Sequence, residues 1–316
     1  MRLTDDIAAR MKAGDPAAEA IVSTSRKQAD LERILSTPAP HPRPRSRAAL
    51  PRRRLLIGAA LATAAATAVA VLPQFGTSGS AHAATPPPLA YVQVPDPSSG
   101  PARLERIAAA IEHNTARPGP AGLLEYRDWS LFTRDDKGDV RSEVVAEHHT
   151  LTIAADGTAT QKRRWDGDRT TRTEPAGTST YAGTMPTDPT ALATWLRRST
   201  PAVGTASGTD QAIRSILRQR VLDPAERAAL LRLIAAVPDL RFDGQVTDRA
   251  GRQGLAFSAE SNGSGLPTRY TFIVDPPTGQ VIGQEAMLTT TAGKLNVPVP
   301  SVISYTAYLK SEHSGP

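Results

Sequence analysis

The chain has 316 residues, enough for two ordinary domains or for one large domain with accessory segments. Cysteine is absent, which excludes disulfides, thiolate metal ligands and a lipid-anchored cysteine. The formal net charge of +6 lies in residues 1–54, which hold 12 Lys/Arg and 6 Asp/Glu, whereas residues 55–316 hold 25 of each sign. Basic charge confined in this way argues against nucleic acid as a partner.

Residues 1–54 are predicted to be a basic, partly disordered cytoplasmic segment. Asp15 before Pro16 is a typical helix start, but the apolar residues of the segment are too few to form a core. We therefore expect residues 1–37 to order on a partner, for which a cytoplasmic transcription regulator is the leading candidate. The competing interpretation is an unselected disordered leader.

An uncharged apolar run occupies residues 55–72, directly before Pro73. Eighteen helical residues cover roughly 27 Å, close to a hydrocarbon core of about 30 Å. Six arginines lie between positions 43 and 54, and this distribution predicts a cytoplasmic N-terminus and an exported C-terminal part. We predict a retained, single-pass transmembrane helix in the cell membrane. The alternative is a signal segment that is cleaved after Ala83, the last residue of an Ala-His-Ala sequence of the kind that signal peptidases recognise.

Residues 73–100 are rich in Pro, Gly, Ser and Thr and predict a linker, so the exported domain is expected at residues 101–316. The spacing of Leu104, Ile107 and Ile111 predicts its first helix. Apolar and polar residues then alternate between 124 and 173, with Asp-Gly turn sequences between the runs. This pattern is typical of antiparallel strands.

Three more helices are predicted in the middle of the domain, with Asp188, Thr209 and Asp223 as N-caps. The third has the clearest apolar stripe, with Leu230 and Ile234 facing the core. Alternating apolar and polar residues return between residues 240 and 309 and predict further strands. The order of helix, strands, helices and strands indicates an α+β fold with a curved antiparallel sheet and several packed helices.

The sequence contains no motif of a known catalytic, cofactor or metal site. The best local cluster, Glu147-His148-His149, is interpreted as a solvated strand edge, because adjacent side chains of a strand face opposite ways. Two pairs of carboxylates are interpreted as turn residues: Asp135 with Asp136, and Asp166 with Asp168. We therefore expect no catalytic residues, no cofactor-binding residues and no metal ligands, and a protein that is not an enzyme. A hydrolase assembled from distant positions is the weakest alternative.

Seven short motifs occur in order: GDPA at 14–17, RRRLL at 52–56, LERIAAAI at 104–111, PTDPTAL at 186–192, PAERAAL at 224–230, DRAGR at 248–252 and VDPPTG at 274–279. In this order they resemble an uncharacterised family of actinobacterial single-pass membrane proteins, often encoded beside extracytoplasmic-function sigma factors. The exported half also resembles the folds of periplasmic lipid carriers and sigma-regulatory sensors.

The bipartite design and this resemblance predict a membrane-anchored envelope protein of unknown molecular function, and the leading hypothesis for its role is an accessory in sigma-factor-linked transmembrane signalling. The resemblance implies no catalytic or binding residues for this chain. The alternative function is an exported carrier or binder of an apolar ligand, with some of the strand aromatics lining the pocket.

Overall fold

The computed structural model describes residues 85–96, 98–114, 119–136, 139–295 and 297–313. All of them belong to one unit, Phe75–Pro316. The predicted cytoplasmic segment and the predicted span at 55–72 lie outside the described residues. Among the residues that are described, no helix combines the length and the apolar character needed to cross a membrane.

A single antiparallel sheet of ten strands organises the described residues. The strands are β1 (Tyr91–Val92), β2 (Gly122–Asp136), β3 (Asp139–Ile153), β4 (Ala159–Trp165), β5 (Asp168–Glu174), β6 (Arg241–Thr247), β7 (Gln253–Ser261), β8 (Thr268–Asp275), β9 (Gln280–Leu288) and β10 (Ser301–His313). Their order across the sheet is β1-β6-β7-β8-β9-β10-β2-β3-β4-β5. The last strand, β10, therefore joins the two groups of strands by pairing with both β9 and β2.

Within the described ranges, four helices accompany the sheet: α1 (Gly100–Glu112), α2 (Pro189–Arg197), α3 (Ala206–Leu217) and α4 (Pro224–Ala235). The predicted α+β class with an antiparallel sheet and packed helices is confirmed. The Asp188 carboxylate accepts from the Ala191 amide, and Asp223 forms a full capping box with Glu226, as predicted.

The predicted cap of α3 is wrong, because the helix begins one turn earlier. Thr205 is the N-cap, and its hydroxyl accepts from the amide of Gly208 at 3.1 Å. Thr209 lies inside the helix, where its hydroxyl accepts from the amide of Gly204 at 3.2 Å. Two threonines four residues apart offer the same cap chemistry, and packing decides between them.

The helices pack on one side of the sheet, which we call the helical face. Phe257 and Phe272 are fully buried there, in one cluster with apolar residues of all four helices. Helix α4 contacts α1, α2 and α3, and both Leu230 and Ile234 are buried as predicted. Burial of large apolar side chains is the main stabilising contribution here.

The other side of the sheet, the opposite face, is partly covered by the segment that leads into the domain. Leu89 and Tyr91 pack against Ala256 and Ile273, whose neighbours Phe257 and Phe272 point to the helical face. Strand β1 pairs with β6 at the sheet edge. The folded part thus begins before residue 101, within the segment 73–100 that was predicted as linker.

Strands β2 to β5 form the far end of the sheet. The helix contacts lie toward the other end, where α3 contacts β7 and β8, and α1 contacts β6. Strand β5, at the other edge, is exposed at every residue except the half-buried Glu174. This end of the sheet is where the polar and charged side chains collect.

Candidate functional site

A row of side chains crosses the helical face and changes from apolar to polar along its length. Cross-strand pairing places Phe257 beside Phe272, and Phe272 beside Gln284. The row continues through Thr306, Asp128, Glu147 and Trp165, on β10, β2, β3 and β4. Four different strands, β9, β10, β2 and β3, therefore bring polar groups into one line beside α3.

Helix α3 lies over this row and, together with its C-cap residue Arg218, contributes three charged side chains. Asp210, Arg214 and Arg218 are spaced four residues apart, so they share one helix face. Arg214 donates to the Asp210 carboxylate at 2.9 Å and to the Thr306 hydroxyl at 2.8 Å. Burial acts to lower the pKa of Arg214, but the neighbouring Asp210 carboxylate outweighs burial and the pKa is raised. The guanidinium stays charged.

Asp128 is the central acceptor of the row. It is buried, and one oxygen accepts from Arg218 Nη2 at 2.6 Å and from the Thr306 hydroxyl at 2.7 Å. Thr306 thereby bridges Arg214 and Asp128. Charge-assisted hydrogen bonds of this kind are the strong ones in protein interiors.

Glu147 and His149 extend the network along β3. His149 Nε2 lies 2.8 Å from Glu147 Oε2 and 3.7 Å from Asp128 Oδ2, and its ring stacks on Tyr126 with centroids 4.5 Å apart. Arg163 on β4 binds the same Glu147 carboxylate through Nε at 2.9 Å and through Nη2. Thus each carboxylate of the pair Asp128 and Glu147 has its own arginine.

Burial and hydrogen bonding together set the ionisation states in this cluster. Burial lowers the pKa of His149, which leaves the imidazole neutral with its Nε2 proton directed at Glu147. For Glu147, burial acts to raise the pKa, but the hydrogen bonds from Arg163 and His149 outweigh it and the pKa is lowered. Burial also raises the pKa of Tyr126 to about 12. His149 Nδ1 is buried without a hydrogen-bond partner.

Asp128, Glu147 and His149 could in principle hold a metal, because one ligand atom of each lies within 4.8 Å of the others. Two carboxylates and one imidazole are a ligand set that suits zinc. However, Arg218 and Arg163 already neutralise the two carboxylates. We therefore assign the cluster to a charge-balanced structural network.

The sequence-based interpretation of Glu147-His148-His149 as a solvated strand edge is wrong. Strand β3 pairs on both sides, and His149 is only 6% exposed. The expectation that adjacent side chains of this strand face opposite ways is correct, since His148 and His149 lie on opposite faces of the sheet. What the sequence did not reveal was Asp128 as the partner, because the pairing register of β2 and β3 cannot be read from either strand alone.

The other chemical candidates from the sequence take structural roles. Asp166 and Gly167 have positive φ angles of 36° and 83° in the turn between β4 and β5, as the turn interpretation predicts. Nothing is described for the side chains of Asp135 and Asp136. Of the remaining histidines, His41 and His82 lie outside the described residues, His113 is exposed, and His313 binds the Gly119 carbonyl at 2.9 Å.

Two open clefts flank Arg218. The first, the Gln161 cleft, has a volume of about 640 Å³ and lies between the sheet and the chain after β5, with Tyr126, Gln161 and Thr178 in its lining. The second, the Ser207 cleft, has a volume of about 590 Å³ and is lined by Ser207 and Arg214 among others. Arg218 contributes to both linings.

A third cavity, between α4 and the sheet, has mainly apolar walls that include Leu217, Leu230 and Val281. Its volume of about 20 Å³ is that of roughly one water molecule. A cavity of this size is too small for a lipid, and the apolar-carrier function stays a prediction.

No family model matches the chain, and neither does any curated protein. Among solved structures, it is similar to MucB, with 14% identity, 68% of this chain and 59% of MucB covered, and a TM-score of 0.29. For MucB in the complex with MucA from Pseudomonas aeruginosa the values are 12%, 69%, 58% and 0.27. A DUF1329 family protein from Desulfovibrio piger gives 12% identity over 69% of this chain and 94% of that protein, with a TM-score of 0.21.

The chain spans less than two thirds of the length of the MucB chains that it matches. At TM-scores this low, the likeness says nothing about the function of this chain.

Proposed function

We propose that the chain is a membrane-anchored envelope protein whose C-terminal domain binds a polar ligand beside Arg218 and thereby acts as an accessory in sigma-factor-linked transmembrane signalling. The ligand class is one that presents carboxylate or carbonyl oxygens, such as a peptide segment. Residues 1–37 would meet the cytoplasmic regulator, and the span at 55–72 would connect the two sides.

The observation that carries the binding proposal is the state of the Arg218 side chain. Its Nη2 is fixed by Asp128 and Thr306, whereas its Nε is buried and has no hydrogen-bond partner among the described residues. A guanidinium has five donor hydrogens in a rigid plane, so the group retains donors after its internal bonds are made. The side chain is about one third exposed, between two clefts.

Preorganisation strengthens this argument. The Tyr126 ring lies under the Arg218 guanidinium, with 5.4 Å from Cζ to the ring centroid, and the network of Asp128 and Thr306 holds the other edge. An oxygen-bearing ligand would meet a donor that is already oriented, which reduces the ordering cost of binding. A cleft of about 640 Å³ is within the usual range for ligand sites.

Site-specific photo-crosslinking in the host cell tests this proposal. A photoreactive amino acid replaces Thr178, in the lining of the Gln161 cleft, and the control position is the exposed Thr190 on α2. We expect an adduct from position 178 that is absent at position 190 and lost in the Arg218→Ala background. The same adducts at both positions, or an adduct that persists without Arg218, would contradict the proposal.

A further inference from the structure

On the opposite face, a row of basic side chains crosses the four strands at the far end of the sheet. Cross-strand pairing places Arg127 on β2 beside His148 on β3, His148 beside Arg164 on β4, and Arg164 beside Arg169 on β5. We call these four residues the arginine row. All three arginines are exposed, and His148 is half-buried.

The arginine row has little internal charge compensation. Arg127 and Arg169 form no ion pair with any described residue, and the Arg164 guanidinium contacts His148 Nδ1 instead of a carboxylate. One carboxylate, Glu125, reaches the row, through His148 Nε2 at 2.8 Å. This differs from the helical face, where each central carboxylate has its own arginine.

Like charges repel one another in such an arrangement, and a bound anion would relieve that repulsion. Like charges directly opposite each other on neighbouring strands repel, and Arg164 and Arg169 are in that relation. A solvated face usually alternates its charges, so three guanidinium groups in one row are not explained by solubility.

The row also lines a space of suitable size. A cleft of about 580 Å³ is bordered by all four residues, by Tyr305 and by residues 166–168. Asp166 lies in the turn before β5 and Asp168 is the first residue of β5, and neither forms an ion pair with the row. Asp128 and Glu147 contribute to the same border, but their carboxylates are bound on the helical face.

We infer that the arginine row is a binding site for a phosphate-bearing ligand. Guanidinium groups bind phosphate oxygens with paired, charge-assisted hydrogen bonds, and a phosphate offers several oxygens to neighbouring arginines. The ligand is either a soluble phosphate ester or the headgroup of an anionic lipid. This site is separate from the one beside Arg218, because the two lie on opposite faces of the sheet.

The experiment uses the full-length chain in dodecyl maltoside micelles and follows thermal unfolding of the domain. One arm adds glycerol 3-phosphate, with sodium chloride at equal ionic strength to correct for screening. The other arm adds phosphatidylglycerol to the micelles, with phosphatidylcholine as the uncharged reference. The variant is Arg164→Gln/Arg169→Gln, and the matched control, with the same change of charge, is Arg198→Gln/Arg241→Gln.

We expect a saturable rise of Tm in at least one arm, an affinity at least about tenfold weaker in the row variant, and no weakening in the control. A rise only with glycerol 3-phosphate identifies a soluble ligand, and a rise only with phosphatidylglycerol identifies a lipid headgroup. The single variant Arg127→Gln, at an exposed position, should weaken binding as well. The inference is overturned if neither arm raises Tm, or if the row and control variants respond alike.

Discussion

Asp128 holds together three elements that are distant in the sequence: its own strand β2, the Thr306 hydroxyl on β10 and the Arg218 guanidinium after α3. Removing its charge would leave the partly buried Arg218 guanidinium without an anionic partner, although the amide oxygen of asparagine can still accept a hydrogen bond. We expect Asp128→Asn to destabilise the domain by about 1–3 kcal/mol, because the guanidinium loses its charge-assisted hydrogen bond while it stays partly buried.

Urea unfolding of the full-length chain measures this effect. The control is Asp168→Asn, an exposed residue on the edge strand β5, which should change the unfolding free energy by less than about 0.5 kcal/mol. Equal effects of the two variants would show that the ion pair with Arg218 contributes no stability.

The pH dependence of stability follows from His149. Burial lowers its pKa below the ordinary value of 6.5, so the unfolded chain takes up a proton at higher pH than the folded chain does. The stability contributed by the neutral imidazole is present above pH 6.5 and decreases as the pH falls below it. His313, whose pKa burial also lowers, adds a contribution of the same sign.

Replacing His149 by glutamine isolates the contribution of His149 to the pH dependence of stability. His149→Gln keeps a donor for Glu147 but does not titrate, so its Tm should fall less than that of the parent between pH 7.5 and pH 5.5. Both proteins are measured at pH 8 as the common reference, where the imidazole is neutral in the folded and unfolded states. Parallel pH profiles would mean that His149 takes up its proton equally in both states.

At the scale of the elements, α4 is the helix on which the packing of the others depends. It touches α1, α2 and α3, and Leu230 is 2% exposed. We expect Leu230→Ala to cost about 2–5 kcal/mol, because the change leaves a cavity among closely packed helices. Phe132→Ala, a large-to-small change at a residue that is 51% exposed, should cost much less and serves as the control in thermal unfolding.

Elements with local signals could be predicted from the sequence, and elements fixed by distant contacts could not. The N-cap Asp223 and the return of strands after residue 240 are local patterns, and both are found as predicted. The start of α3 was missed because Thr205 and Thr209 are equivalent locally. The segment after residue 85 was taken for a linker because a two-residue strand and two packed apolar side chains have no periodicity.

The candidate sites could not be predicted from the sequence, for a related reason. The polar row needs Asp128 to face Thr306, 178 residues away, and the arginine row needs the register of four strands at once. Alternation along one strand shows which side chains share a face, as it did for Glu147 and His149. It does not show which strand comes next to it.

At the scale of the whole molecule, charge separates the chain into two parts. Residues 1–54 carry the whole net charge of +6, and residues 55–316 are balanced. A basic cluster directly before an apolar run keeps its side of the chain in the cytoplasm, so we expect the C-terminus to be exported. Alkaline phosphatase fused after residue 316 should therefore be active, and β-galactosidase at the same position should be inactive.

The matched control replaces all six arginines between positions 43 and 54 by glutamine, which removes the orienting charge and leaves the apolar run unchanged. This variant should lose phosphatase activity relative to the parent, because the bias toward one orientation disappears. An active β-galactosidase fusion in the parent would contradict the predicted orientation. The size of the fusion product decides between anchor and cleaved signal. A retained span gives a membrane-bound product of the full 33.5 kDa plus the reporter, whereas cleavage after Ala83 removes 83 residues, including the span, and releases the product from the membrane.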